Sequence, residues 1–141
     1  MREILFRGKR KDNGEWVEGA FYVFYNFKRV VTQILRDRTN GVPDAMEVDP
    51  ATVGQCINMR DKTGRKAFTG DITMDPQGRK WVIFDCPGGF GTCTSREWKK
   101  RISGDSNFFY NGLSERQNAG WFTYHHTIIG NIHDNPELLE A

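Results

Sequence analysis

Short apolar runs separated by turn-forming clusters constrain this chain more than any other feature. Fifteen glycines are spread over its 141 residues, and several follow an Asn directly or an Asp by three positions, in patterns that favour tight turns. Asn13-Gly14 and the segments 61–64 and 75–78 are examples. We therefore expect short strands with tight connections rather than long helices. Eighteen aromatic residues (four Trp, four Tyr and ten Phe) supply much of the apolar area that a core needs.

The pattern of residues 1–50 predicts an N-terminal β-meander. The predicted strands are 4–7, 16–25 and 45–48, and residues 39–43 are expected to form a turn or loop. Residues 29–35 favour a strand through their β-branched content, with a short helix as the alternative. Asp49-Pro50 then predicts one helical turn that ends at Gly54, since Asp caps free amides and Pro suits the first helical position.

Residues 51–141 predict a second β unit, a small barrel of the SH3-like type. Turns at 75–78 and 87–91 separate strands, 121–129 is expected to be the last long strand, and 135–139 closes the chain in a helical turn. Gly70-Asp71 and Gly130-Asn131 are each predicted to mark a bulge or a sharp corner. The fold class is therefore mostly β, with the meander (1–50) packed on the barrel domain (51–141).

Several segments resemble the YopX family, small proteins carried by phages and prophages. The resemblance rests on residues 49–55, 61–66 and 68–72 and on the run Ile128-Ile129-Gly130-Asn131-Ile132-His133-Asp134-Asn135-Pro136-Glu137-Leu138-Leu139, with a weaker echo at 1–7. It implies an SH3-like barrel for the C-terminal part and no established biochemical activity. His133 stands where the family pattern leads us to expect a tyrosine. Turn chemistry accounts for the signature residues without a ligand.

Charge is unevenly distributed although the net charge is only +2. Residues 51–101 hold ten basic and five acidic side chains, whereas 102–141 hold one basic and five acidic. A basic face is compatible with this distribution. No apolar run reaches membrane-spanning length and the start does not resemble a secretory signal, so we expect a soluble, cytoplasmic protein encoded by a phage or prophage.

Catalytic and metal-binding patterns find little support in the sequence. Cys56, Cys86 and Cys93 are expected to be free thiols, and a structural zinc would need paired ligands that the spacing does not supply. His125 and His126 are adjacent in a predicted strand, so their side chains should leave on opposite faces, one beside aromatic residues and one exposed. We expect no enzyme, no metal and no cofactor.

The strongest binding candidate is segment 95–101, in which three cations follow a tryptophan. Its residues Arg96, Trp98, Lys99, Lys100 and Arg101, together with Arg10 and Lys11 of the first hairpin, are the predicted binding set. Cations would contact a phosphate backbone and Trp98 would stack on a base. The alternative is that Trp98 packs in the core while the cations form a solvated face.

Residues 106–112 are polar at their edges and aromatic at Phe108, Phe109 and Tyr110. In a loop these rings would form an exposed patch that suits a partner or a second copy, whereas in a strand they would be core. The leading hypothesis is a non-enzymatic binding module. The alternatives are a nucleic-acid-binding protein using 96–101 and a self-assembling protein–protein adaptor.

Overall fold

The computed structural model describes residues 4–36 and 43–140. The predicted loop at 39–43 lies outside these residues except for Pro43, and so does the start of the weak signature echo at 1–7. The strands are β1 (Phe6–Lys9), β2 (Trp16–Asn26), β3 (Arg29–Arg36), β4 (Asp44–Glu47), β5 (Gly54–Arg60), β6 (Lys66–Phe68), β7 (Asp71–Met74), β8 (Lys80–Cys86), β9 (Gly89–Thr94), β10 (Asn111–Leu113) and β11 (Thr127–Asn131). The helices are α1 (Ser95–Ile102) and α2 (Ala119–His125). The mostly-β class is confirmed.

The chain divides into two compact units, Met1–Cys56 and Ile57–Ala141. In the first unit the antiparallel strand order is β4-β3-β2-β1-β5. Residues 29–36 form a strand, so the strand prediction is confirmed over the helical alternative. The sequence-based domain division at residue 50 stays a prediction.

Local turn chemistry in the first unit follows the predicted pattern. Gly14 has φ +72° in the hairpin between β1 and β2, where the Asn13 side chain accepts a hydrogen bond from the amide of Glu15. Asp49 caps the amide of Ala51 at 3.0 Å and begins a 3-10 turn over Pro50–Thr52. Val17, Ile34, Met46 and Val48 form the buried core of this unit.

The second unit contains the antiparallel sheet β10-β9-β8-β7-β11. Within the described part of the chain, β10 and β11 are its two edges and do not pair with each other, so the sheet is open. The predicted SH3-like barrel is therefore not confirmed. Along the chain, α1 follows β9 directly and α2 separates β10 from β11.

The long strand predicted at 121–129 is wrong. Residues 119–125 form α2, and only the last part of the predicted strand, from Thr127, is extended as the beginning of β11. Phe122 and His126 are both completely buried and lie four residues apart, so the helical period turns both toward the core. Burial of this pair overrides the strand preference of the aromatic run Trp121–Tyr124.

Two apolar clusters form the core of the second unit. One contains Ile57, Met59, Ala67, Ile83, Leu113, Phe122 and Ile128. The other contains Ile72, Val82, Phe84, Cys93, Trp98 and Leu139. The second cluster fixes α1 against β8 and β9, because Trp98 of the helix is one of its members.

Candidate functional site

Within the second unit, the side chain of Asp61 joins two of the segments that resemble the YopX family, 61–66 and 128–139. One carboxylate oxygen accepts hydrogen bonds from the amide and hydroxyl of Thr63 and from the amide of Arg65. The other accepts from the amide of Ile128 at 2.8 Å. Burial by itself would raise the pKa of Asp61, but these hydrogen bonds outweigh it and the pKa is lowered. Asp61 therefore ties the 61–65 turn to the last strand.

Gly70-Asp71 and Gly130-Asn131 lie opposite each other. Asp71 pairs with Asn131 and Ile72 with Gly130, and the ladder shifts register between Ile128 and Gly130. The predicted bulge is thus confirmed on the β11 strand. A Cβ at Gly130 would lie 2.5 Å from Oδ1 of Asn135, so the close approach requires glycine.

These contacts give the signature residues a structural role. The side chain of Asn131 accepts hydrogen bonds from the amides of His133 and Asp134, and Asp71 accepts one from the amide of Phe68. They hold turns and strand ends rather than converging on a cavity. The candidate functional surface must therefore be sought elsewhere.

Helix α1 carries most of the predicted binding set. Its N-cap is Thr94, whose hydroxyl accepts a hydrogen bond from the amide of Glu97, and three basic residues stand in its last turn. The Thr94-Ser95-Arg96-Glu97 pattern is a capping-box signature from which this helix could have been predicted. These residues were predicted as a binding segment, but the helix that carries them was not predicted.

Trp98 is buried at 9% exposure and packs in the core cluster against Phe84, with ring centroids 6.0 Å apart. The core alternative is therefore confirmed for Trp98, and the stacking platform expected at this position is wrong. Cations on the helix remain accessible. Arg96 and Lys99 are exposed, while Lys100 forms an ion pair with Glu97 at 3.2 Å.

Arg101 connects the helix to an aromatic cluster. Its guanidinium carbon lies 4.9 Å from the ring centroid of Phe84 and 5.0 Å from that of Trp98. Phe84 also contacts Tyr110 edge to face at 5.4 Å and Phe108 at 5.8 Å. The segments 96–101 and 106–112, which the sequence presented as separate candidates, therefore meet at Phe84.

The 106–112 segment is neither wholly core nor wholly exposed. Phe108 is half-buried against Phe84, Tyr110 is 46% exposed, and Phe109 between them is 80% exposed. We call the exposed cations and rings of these two segments, Arg96, Lys99, Arg101, Phe109 and Tyr110, the α1 surface. Arg101 contacts the aromatic cluster, whereas Arg96 and Lys99 lie on another side of the helix because of its period.

A shallow pocket of about 430 Å³ lies at the start of α1. Three cations, Arg79, Lys80 and Arg96, line it together with the hydroxyl residues Thr94 and Ser95. Arg79 also forms an ion pair with the buried carboxylate of Asp75 at 2.7 Å. Glu140 adds one acidic group to the lining, so the pocket keeps an excess of positive charge.

Arg10 and Lys11 belong to the first unit and are neutralised there. The Arg10 guanidinium holds Asp12 with two hydrogen bonds, which keeps the pKa of that carboxyl below its usual value. Lys11 forms an ion pair with Glu47 at 3.3 Å. Neither cation belongs to the unit that carries α1, so their joint action with 96–101 stays a prediction.

Two of the three cysteines and one of the two adjacent histidines are buried, whereas the half-buried thiol of Cys86 lines a pocket together with Tyr110. Cys56 and Cys93 are buried free thiols, and burial raises the pKa of Cys93 to about 12. His125 is exposed and His126 is completely buried. In residues 4–36 and 43–140, no group of three or more His, Cys, Asp or Glu residues is arranged to hold a metal ion. Over the same residues, no helix is long and apolar enough to cross a membrane.

His126 occupies an aromatic cage. Its ring lies 4.4 Å from Trp121 and 5.6 Å from Trp81, and Nδ1 is hydrogen-bonded to the hydroxyl of Thr73 at 2.9 Å. Burial lowers the pKa of His126 from 6.5 to about 4, and the nearby Asp75 carboxylate opposes this shift only in part. The expectation of one exposed and one aromatic-packed histidine is confirmed, but at a helix end rather than in a strand.

A family model described as YopX protein matches residues 5–140, nearly the whole chain. The chain belongs to the YopX family. No curated protein matches it significantly. Among solved structures, protein EF1440 from Enterococcus faecalis is similar, with 20% sequence identity and a TM-score of 0.53 over 99% of this chain and 100% of that chain. At that identity the likeness concerns the fold alone.

Proposed function

We propose that this YopX-family protein is a non-enzymatic, cytoplasmic accessory protein of phage or prophage type, and that its second unit binds single-stranded nucleic acid through the α1 surface. The observation that carries the proposal is the position of Arg101 over Phe84, with Tyr110 on the edge of the same ring. Through this contact Arg101 and the half-exposed ring of Tyr110 belong to one surface, and Arg96 and Lys99 add cations on the neighbouring side of the same helix.

Cations and rings act on different parts of the ligand. Arg96 and Lys99, three residues apart on one side of the helix, would neutralise phosphates and release counterions. Phe109 and Tyr110 offer faces on which unpaired bases can stack. Duplex DNA hides its base faces within the stack, so single strands suit this surface better.

The pocket at the start of α1 extends the cationic surface along the helix. Lys80 and Arg96 line it, and the hydroxyls of Thr94 and Ser95 are donors of the kind that bind phosphate oxygens. We infer that a bound strand would run along α1 from this pocket to Tyr110. Affinity would come from backbone contacts and stacking rather than from base-edge recognition, so sequence preference should be weak.

The test is a fluorescence anisotropy titration of a labelled single-stranded oligonucleotide at low salt. Arg96→Ala/Lys99→Ala removes two exposed cations from the proposed surface, and Lys62→Ala/Arg65→Ala removes two exposed cations from a turn of the same unit. The proposal predicts that only the first variant weakens binding, by about tenfold or more. Equal weakening by both variants would show that only net charge matters, and the α1 surface would then be the wrong site.

A further inference from the structure

The hairpin of β2 and β3 extends past its neighbours in the first unit. Among the described residues, β1 pairs with β2 only over Trp16–Gly19, and β4 pairs with β3 only over Gln33–Arg36. The β2–β3 ladder continues to Asn26 opposite Arg29. A two-stranded ribbon is marginally stable in water unless something packs against it.

One face of this ribbon carries an exposed apolar strip. Phe21, Val23 and Tyr25 alternate along β2 on this face, and Val30 lies opposite Tyr25. Their exposures are 41%, 44%, 81% and 52%, respectively. We call these four residues the ribbon strip. No member of the strip is charged.

The strip continues the core of the first unit outward. Phe21 packs on Phe6 with ring centroids 5.3 Å apart, and Phe6 packs against the buried cluster that contains Val17 and Ile34. The ribbon strip is therefore joined to the core of the first unit through Phe21. Exposed apolar surface of this kind marks an interaction site.

The turn at the tip has an unusual composition. Phe27 and Lys28 have φ values of +47° and +68°, a left-handed region that favours Asn and Gly. Phe27 is 99% exposed. A turn selected for folding alone would avoid a strained phenylalanine that contacts only water, so its side chain points to a contact outside the ribbon.

We propose that the ribbon strip is the two-fold interface of a homodimer, in which the ribbon of a second copy lies antiparallel across it. A two-fold axis near Val23 puts Tyr25 and Val30 of one copy against Phe21 of the other. Because the strip is linear and apolar along its whole length, it is complementary to itself in this arrangement.

The area available fits a dimer. A fully exposed aromatic side chain offers about 150–250 Å², so the strip together with Phe27 presents roughly 600 Å² per chain at the exposures observed. Stable interfaces bury about 800 Å² per partner. Flanking side chains of the ribbon would supply the remainder.

The charges near the tip fit a second copy better than an anionic ligand. Arg29 is held by two hydrogen bonds to Glu47 at 2.9 and 3.1 Å. Lys28 stands in the tip turn itself, and the four residues of the ribbon strip include no cation, so the strip has little means of attracting phosphate groups. This inference concerns the first unit and does not depend on the nucleic-acid proposal.

Sedimentation equilibrium of the full chain tests the proposal directly. Wild type should dimerise at micromolar concentrations, and Tyr25→Glu/Val30→Glu should raise the dissociation constant by about a hundredfold, since a carboxylate buried in each half of an apolar interface lacks a partner. Tyr124→Glu is the matched control, because Tyr124 is an exposed aromatic residue (75%) on α2 and should leave the dimer intact.

A cross-linking variant covers the case in which the charged variant misfolds. Val23→Cys lies near the proposed axis, so oxidation should link two copies, whereas wild type and Tyr124→Cys should remain largely unlinked. A wild-type monomer throughout the range, or a dimer that Tyr25→Glu/Val30→Glu leaves unchanged, would overturn the proposal. So would a monomer that sediments with phosphatidylglycerol vesicles, since that result assigns the strip to a lipid surface.

Discussion

The carboxylate of Asp61 accepts a hydrogen bond from the backbone amide of Ile128 at 2.8 Å, across 67 positions of sequence. The same side chain closes its own turn through Thr63 and Arg65. A single buried carboxylate thus joins the two segments that carry the family signature. These signature residues hold the fold together, and the proposed binding surface on α1 lies elsewhere in the unit.

Asp61→Asn should destabilise the second unit. The amide has only one acceptor oxygen, and its bonds lack the charge that strengthens a carboxylate bond, so about 2 kcal/mol of unfolding free energy should be lost. Urea unfolding measures the change. Asp12→Asn, at an exposed and locally paired carboxylate, should change it by less than about 0.5 kcal/mol. Equal effects would argue against the role given to Asp61.

Gly130→Ala should also destabilise the fold, because its Cβ would meet Oδ1 of Asn135 at 2.5 Å in the β11 bulge. We expect a loss of about 1–3 kcal/mol in unfolding free energy. Gly89→Ala is the matched control, since nothing lies within 4 Å of its Cβ and its φ is not positive. If Gly130→Ala had the same unfolding free energy as Gly89→Ala, the close packing described for Gly130 against Asn135 would be contradicted.

Turn residues and caps were predictable from sequence because their chemistry is local. Asp75 bonds the amides of Gln77 and Arg79, and Asp49 caps its 3-10 turn, in each case within a few residues. Helix α2 was not predictable in this way. The run Trp121–Tyr124 favours a strand by its residue types, and only the burial of Phe122 and His126 selects the helix.

In the candidate site, too, local features were predictable from sequence and tertiary contacts were not. The cations of 96–101 were identified from sequence, but the meeting of Arg101 and Tyr110 at Phe84 depends on two strand pairings, β8 with β9 and β9 with β10. Local pattern carries no information about that register. The burial of Trp98 depends on the same packing, which is why its predicted role as a stacking platform was wrong.

Acid should destabilise the protein through His126. The folded pKa of about 4 lies below the 6.5 expected for the unfolded chain, so the unfolded state binds the proton more tightly. This contribution to stability is complete above about pH 6.5 and is lost as the pH falls toward 4, by roughly 3 kcal/mol in all.

Urea unfolding near neutral pH and near pH 4 measures this loss. His126→Phe should remove most of the pH dependence in this window, whereas His125→Gln, at an exposed histidine, should retain it. Further loss at lower pH is expected from Asp61 and Asp75, whose pKa values are lowered. If the unfolding free energy of His126→Phe fell with pH as steeply as that of wild type, the acid sensitivity would belong to another group.

Phe109→Ala should weaken oligonucleotide binding without changing stability. The ring is 80% exposed, and loss of one base-stacking contact should reduce affinity by about tenfold. Tyr124→Ala removes an equally exposed ring from α2 and should leave affinity unchanged. Similar losses in both variants would mean that stacking does not occur at the α1 surface.

The central claim is that the α1 surface binds single strands through their phosphates. The most direct measurement is the dissociation constant of wild type for a labelled single-stranded oligonucleotide over a series of salt concentrations. We predict that binding weakens steeply with salt and that Arg96→Ala/Lys99→Ala reduces the slope by about one to two phosphate contacts. Absence of binding at low salt, or binding that does not depend on salt, would contradict the account.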